Sequence, residues 1–166
     1  MAVDDTVREF QRGCECRDLS QSGEAMNVRP FLDAKFLVGV SRIDHEHRTL
    51  FQIIGTVHDA CQSSDPSAAQ TVRSAVVELF DYTRTHFASE EALMKEAAYP
   101  ALAAHAELHQ DLLARVRDFE IRVEFDTNFD PAELATFLYN WLANHILVED
   151  KTFGEYYRGV EAAASA

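Results

Sequence analysis

Leu102-Ala103-Ala104-His105-Ala106-Glu107-Leu108-His109-Gln110-Asp111-Leu112 sets two histidines one helical turn apart on a row of apolar side chains. The row continues through Val116, Phe119 and Val123, in steps that alternate between three and four residues. That spacing describes a helix with one buried stripe, at a period near the ~3.5 residues of helices packed in a bundle. Both rings rise from the stripe toward one small volume. A buried imidazole is costly unless its nitrogens are satisfied, and a metal ion satisfies several at once. Ala106 stands where a zinc peptidase would place its catalytic glutamate, so the pair does not read as that enzyme.

Working outward, the same pattern recurs three times. A helix from about Ser41 to Gln62 aligns Ile43, His47, Leu50, Ile54, Val57 and Cys61. One from about Pro66 to Ala97 aligns Val72, Val76, Leu79, Thr83, His86, Glu90 and Leu93. Another, from about Pro131 to Tyr157, aligns Leu134, Leu138, Trp141, His145 and Val148. Asp65-Pro66, Tyr99-Pro100 and Asp130-Pro131 mark the boundaries, since proline suits a first helical turn and breaks a helix interior. Short connections between four such helices predict an all-α fold, an antiparallel up-down-up-down four-helix bundle. His47 lies early in its helix, His86 and Glu90 late, His105 and His109 early, and His145 late. Antiparallel neighbours therefore gather all of them at one end.

The buried candidates are thus His47, His86, Glu90, His105, His109 and His145, with a carboxylate from Glu149 or Asp150. Mixed histidine and carboxylate donors suit iron, manganese or zinc, whereas all-oxygen sets suit magnesium or calcium. Ideal spacing favours Glu149, four residues after His145. Asp150 reaches the same face only across a widened turn such as a π-bulge. His45 lies about 200° around the helix from His47 and should face solvent, and His58 is about 16 Å further along the axis. Both read as structural or surface residues.

The chain has 166 residues, 28 of them acidic and 15 basic, for a net charge of −13. Nucleic acid is a poor partner for that balance, and so is an anionic membrane surface. No run of about 18 apolar residues offers a membrane span, and the N-terminus lacks a basic-then-apolar signal pattern. The expected location is cytoplasmic. Cys14, Cys16 and Cys61 cannot all pair within one chain, which fits a reducing compartment. Residues 1–30 read as an N-terminal extension, 31–157 as the bundle and 158–166 as a C-terminal tail. Within the extension, Cys14-Glu15-Cys16 is too few ligands for a structural zinc site. Phe31 to Val40 reads as an extended lead-in, with Phe31 and Phe36 available to pack on the bundle.

The run Val38-Gly39-Val40-x-x-Ile43-Asp44-x-Glu46-His47-x-x-Leu50-Phe51 resembles the first-helix signature of the bacterial hemerythrins. So do His86-Phe87-x-x-Glu90-Glu91-x-Leu93-Met94, Tyr99-Pro100 followed by His105 and His109, and Trp141-Leu142-x-x-His145-Ile146 with Asp150. The resemblance covers about residues 31 to 157 and selects Asp150 over Glu149. It implies two non-haem iron ions with a bridging oxo or hydroxo group. His105, His109 and His145 would hold one iron, His47 and His86 the other, and Glu90 and Asp150 would bridge them. It further implies reversible dioxygen binding for storage, delivery or sensing, with Leu142, Trp141 and Ile146 as walls of the ligand pocket. The alternative is a di-iron redox enzyme that turns over peroxide or nitric oxide, or oxidises iron. Sensing would require a separate protein partner, reached through the N-terminal extension. Glu46 stands where glutamine is usual, and Phe31 roughly where tryptophan often precedes the first helix. Being next to His47, Glu46 is expected to point off the stripe.

Overall fold

The computed structural model describes residues 30–126 and 129–165. Cys14, Cys16 and the rest of the proposed extension up to residue 29 lie outside them. The described chain forms helices α1 (Ser41–Cys61), α2 (Ala68–Glu96), α3 (Leu102–Phe125) and α4 (Pro131–His145). A π-helical turn, Ile146–Asp150, carries α4 without a break into α5 (Lys151–Ala164), so α4, the turn and α5 make one fourth rod. The rod runs seven residues past the Tyr157 boundary expected from sequence. The fold is the expected all-α four-helix bundle, with α2 packed on α1 and α3, and α4 on α1.

The stripes meet inside. Ile43, Leu50, Ile54 and Val57 from α1 join Val72, Val76 and Leu79 from α2. Leu112, Val116 and Phe119 come from α3, and Leu134, Leu138 and Leu142 from α4. Fully burying an aliphatic side chain of this size contributes roughly 1.5–3 kcal/mol, which is what holds these helices in register. Val148 departs from expectation: it is 41 % exposed, because the π turn shifts the inward face by one residue.

The lead-in to α1 is fixed by its own sequence. A 3-10 turn, Ala34–Phe36, buries Phe36 against Phe51, with ring centroids 5.0 Å apart. Phe31, by contrast, is 59 % exposed and does not pack on the bundle as expected. Asp44, in the first turn of α1, accepts from the backbone N–H of Val38 at 2.7 Å and of Gly39 at 3.2 Å. Between them Gly39 turns the chain at φ +79°, a left-handed conformation that glycine adopts without a Cβ clash. Gly154 of α5 lies so close that a Cβ there would come within 2.4 Å of the Val38 carbonyl oxygen. Arg158 donates to that same carbonyl. The last helix is thereby clamped onto the segment that precedes the first.

α2 ends in a Schellman arrangement. Tyr99 N–H donates to Met94 C=O at 2.8 Å and Ala98 N–H to Lys95 C=O at 3.1 Å. Ala98 occupies the left-handed position, φ +53°, where glycine is usual. Tyr156 of α5 donates to the Ala97 and Ala98 carbonyls at 3.0 and 3.1 Å, so a tertiary contact satisfies oxygens the helix leaves open.

Candidate metal centre

The seven candidate residues converge at one end of the bundle. His47, His86, His105, His109, His145, Glu90 and Asp150 are all buried, none more than 4 % exposed. One donor atom from each of Glu90, His105, His109, His145 and Asp150 falls in a cluster within 4.8 Å. His47 and His86 join through the carboxylates. Asp150 places Oδ2 3.1 Å from His47 Nε2 and Oδ1 3.0 Å from His145 Nε2 and 3.4 Å from His105 Nε2. Glu90 Oε2 lies 3.4 Å from His109 Nε2, 3.6 Å from His105 Nε2 and 4.0 Å from His86 Nε2. The rings form two groups: His47 against His86 at 4.9 Å, and His105, His109 and His145 mutually at 4.4 to 5.0 Å. Each carboxylate reaches into both.

Asp150 reaches this layer because the π turn adds one residue between it and His145. The widened turn carries the fifth residue after His145 inward and leaves Glu149, the fourth, only half-buried. Of the two carboxylates left open by helical spacing, the structure brings Asp150 to the cluster. His45 is exposed, as expected. His58 is buried, with Nδ1 3.4 Å from Asp59 Oδ1, and is not among the clustered donors.

The cluster's chemistry calls for a cation. Glu90 Oε1 and Oε2, both Asp150 oxygens, both His47 ring nitrogens, and Nε2 of His86 and His105 have no hydrogen-bond partner. So many orphaned polar atoms in one buried layer would cost several kcal/mol if nothing satisfied them. Burial and the neighbouring Asp150 push the Glu90 carboxyl up, but His105, His109 and His86 outweigh them and hold it at about 2. Burial likewise opposes ionisation of Asp150, and His145 and His47 overcome it, leaving the carboxyl well below the usual range. Both are carboxylates at neutral pH. Burial lowers His109, more than Glu90 and Glu91 raise it, and so opposes its protonation. His145 is pushed down by burial and pulled up further by Asp150, for a net rise. Its Nε2 also sits 3.1 Å from His109 Nε2. Two imidazole nitrogens facing one another share one proton, and a metal ion takes the place of such a proton. Nitrogen and oxygen donors in these numbers fit a non-haem iron site.

Three contacts escaped the sequence reading. Glu46 does not point away from the site: its Oε2 lies 2.8 Å from His86 Nδ1, and its Oε1 accepts from Ser89 Oγ at 2.8 Å. It sits off the α1 stripe yet faces α2 at the seam between the helices, which a single helical wheel does not show. Burial pushes the Glu46 carboxyl up, but His86, Ser89 and Arg42 bring it below the usual carboxylate range. On the other side, Glu91 Oε1 lies 2.8 Å from His109 Nδ1. Aromatic rings close the remaining faces. Phe87 stacks on His109 at 3.6 Å between centroids and Trp141 on His145 at 4.5 Å.

Phe87 and Trp141 also line a narrow cavity with Leu50, Ile54, Leu79, Thr83, Leu112, Val116, Leu138 and Leu142. Two of the three expected pocket walls, Leu142 and Trp141, therefore line an apolar space that abuts the histidine layer. Ile146 is fully buried but does not line it.

Fold and site together define a class: four-helix bundles that carry a His/Glu/Asp cluster for non-haem iron in their core. The family description "Hemerythrin HHE cation binding domain" matches residues 38–157. The chain belongs to the hemerythrin family. It is 37 % identical over 118 residues to a bacteriohemerythrin of Stenotrophomonas maltophilia, covering 71 % of this chain and 74 % of that one. It is 31 % identical over 132 residues to a bacteriohemerythrin of Methylococcus capsulatus, covering 78 % of this chain and 96 % of the relative. A wild-type hemerythrin crystal structure superposes with a TM-score of 0.69 at 27 % identity, covering 76 % of this chain and 95 % of that one.

Proposed function

We propose that this chain binds dioxygen reversibly at a di-iron centre, for storage, delivery or sensing. The observation that carries the reading is the buried layer of orphaned donors, anionic in its carboxylates and closed by aromatic and aliphatic side chains. His105, His109 and His145 would hold one iron and His47 and His86 the other. Glu90 and Asp150 would span the two, as their reach into both ring groups suggests. Iron, when bound, supplies the electrons and the open coordination position that dioxygen requires. With three imidazoles for one iron and two for the other, the two-histidine side would be the one with room for a further ligand. The remaining work belongs to the protein. Glu46 and Glu91 accept from His86 and His109 Nδ1, which keeps each Nε2 lone pair directed inward. Phe87, Trp141 and Leu142 keep the neighbouring space dry, and a dry pocket suppresses the loss of reactive oxygen species to water.

Residues 31–157 would form the oxygen-binding bundle, with 1–30 as an extension open to an unidentified protein partner and 158–166 as a tail that continues α5 as far as Ala164. Among the described residues, no helix is long and apolar enough to cross a membrane.

The test is an optical spectrum of iron-loaded protein reduced without oxygen, exposed to air and then deoxygenated. A ligand-to-iron charge-transfer band that comes with air and leaves with oxygen removal is expected. Irreversible conversion to a diferric spectrum would favour the redox-enzyme alternative.

A further inference from the structure

Glu46 belongs to α1, the helix that carries His47, yet its carboxylate touches His86, the other histidine of the two-histidine side. Its side chain is 16 % exposed, while that of His86 is fully buried. Three donors fix it: His86 Nδ1 at 2.8 Å, Ser89 Oγ at 2.8 Å and Arg42 Nε at 3.3 Å. A carboxylate with three donors around it only accepts hydrogen bonds, so Nδ1 of His86 carries the hydrogen and Nε2 keeps its lone pair. That Nε2 is among the buried atoms with no hydrogen-bond partner.

From this geometry we propose that Glu46 is a positioning residue that fixes the tautomer of His86 and sets a negative charge against its outer nitrogen, and so favours the ferric over the ferrous state on the two-histidine side of the centre. The inference rests on the di-iron reading above. A carboxylate bonded to the far nitrogen of a ligating imidazole pushes electron density toward the metal, and the more highly charged ion benefits more. An amide in the same place would accept the same hydrogen bond without the negative charge. Ser89 and Arg42 matter because they hold the carboxylate from its other side, which prevents Glu46 from swinging out to solvent. The bond crosses the α1–α2 seam, so it also couples the position of His86 to the helix that carries His47.

The experiment compares wild type with Glu46→Gln, with Ser89→Ala and Glu46→Ala as graded variants. Iron content per chain, midpoint potential by mediated redox titration, and the melting temperature of the metal-free protein are measured on each. Wild type and Glu46→Gln should both load two irons per chain and melt within a few degrees of each other when metal-free. The Glu46→Gln centre should shift about tenfold toward the ferrous form, a rise of about 59 mV for a one-electron couple. Ser89→Ala should shift the same way by less. A second readout needs no iron: 15N NMR of metal-free protein above pH 8 should show His86 protonated at Nδ1 in wild type, with that preference lost in Glu46→Ala. Two irons in Glu46→Gln with an unchanged potential would overturn this proposal alone. A wild type that takes up no iron would overturn the di-iron reading, and this proposal with it.

Discussion

The two halves of this bundle are built on opposite terms. In the half remote from the metal layer, Val72, Val76, Val116, Phe119, Leu134 and Leu138 fill the core with side chains that ask nothing of their neighbours but contact. Where a histidine is buried there, at His58, an adjacent Asp59 on the surface lies beside it. In the other half the same helices bury five histidines and two carboxylates, and most of the donor atoms have no partner. The remote half stabilises itself. The metal half gathers a donor set that fits a cation.

The sharpest way to break that comparison is to load and remove metal. Iron or zinc at a thousandfold excess over its dissociation constant should add roughly 4 kcal/mol of stability. For a domain of this size that raises the melting temperature on the order of 10 °C, readable by calorimetry. Hydrogen exchange should slow around His47, His86, His105 and His145 and change little around Leu134 and Val116. Asp150→Ala should abolish the gain and Glu149→Ala should keep it. Equal protection of both halves, or the reverse order of the two variants, would break the comparison.

Next in size is the remote core. Leu134→Ala should cost about 2–5 kcal/mol, because Leu134 is fully buried, and the cost should be the same with and without metal. Denaturant titration of both forms checks it, and unchanged metal stoichiometry is expected.

Two smaller effects probe the end of α2. Tyr156→Phe removes the hydroxyl that caps this helix and should cost about 0.5–1.5 kcal/mol. Ala98→Gly relieves a left-handed alanine and should stabilise by about 0.5–1 kcal/mol, seen as a slightly higher denaturant midpoint. If that variant is instead destabilised, the positive φ at Ala98 carries no cost that glycine relieves.

Much of the architecture was legible in advance, for reasons the residues make plain. Helix existence followed from stripes such as Leu102–Val123, where apolar burial dictates the period, and their ends lay within a few residues of proline-marked boundaries. The gathering of His47, His86, His105, His109 and His145 at one end followed from antiparallel order alone. The fourth rod was harder. Helical spacing preferred Glu149, and the resemblance to hemerythrins was needed to favour Asp150 through a distorted turn. Val148 was misplaced for the same reason, since one extra residue per turn rotates everything just beyond His145.

By itself, then, the sequence determined the all-α bundle, the end at which the donors collect and the mixed nitrogen–oxygen character of the cluster. These properties depend on periodicity and order along single helices. Only the tertiary structure decided that Glu46 grips His86, that Glu91 grips His109, and that Phe87 stacks over His109 beside an apolar cavity. Those contacts form between helices, where the seam geometry, and not the spacing within either partner, sets which side chains meet.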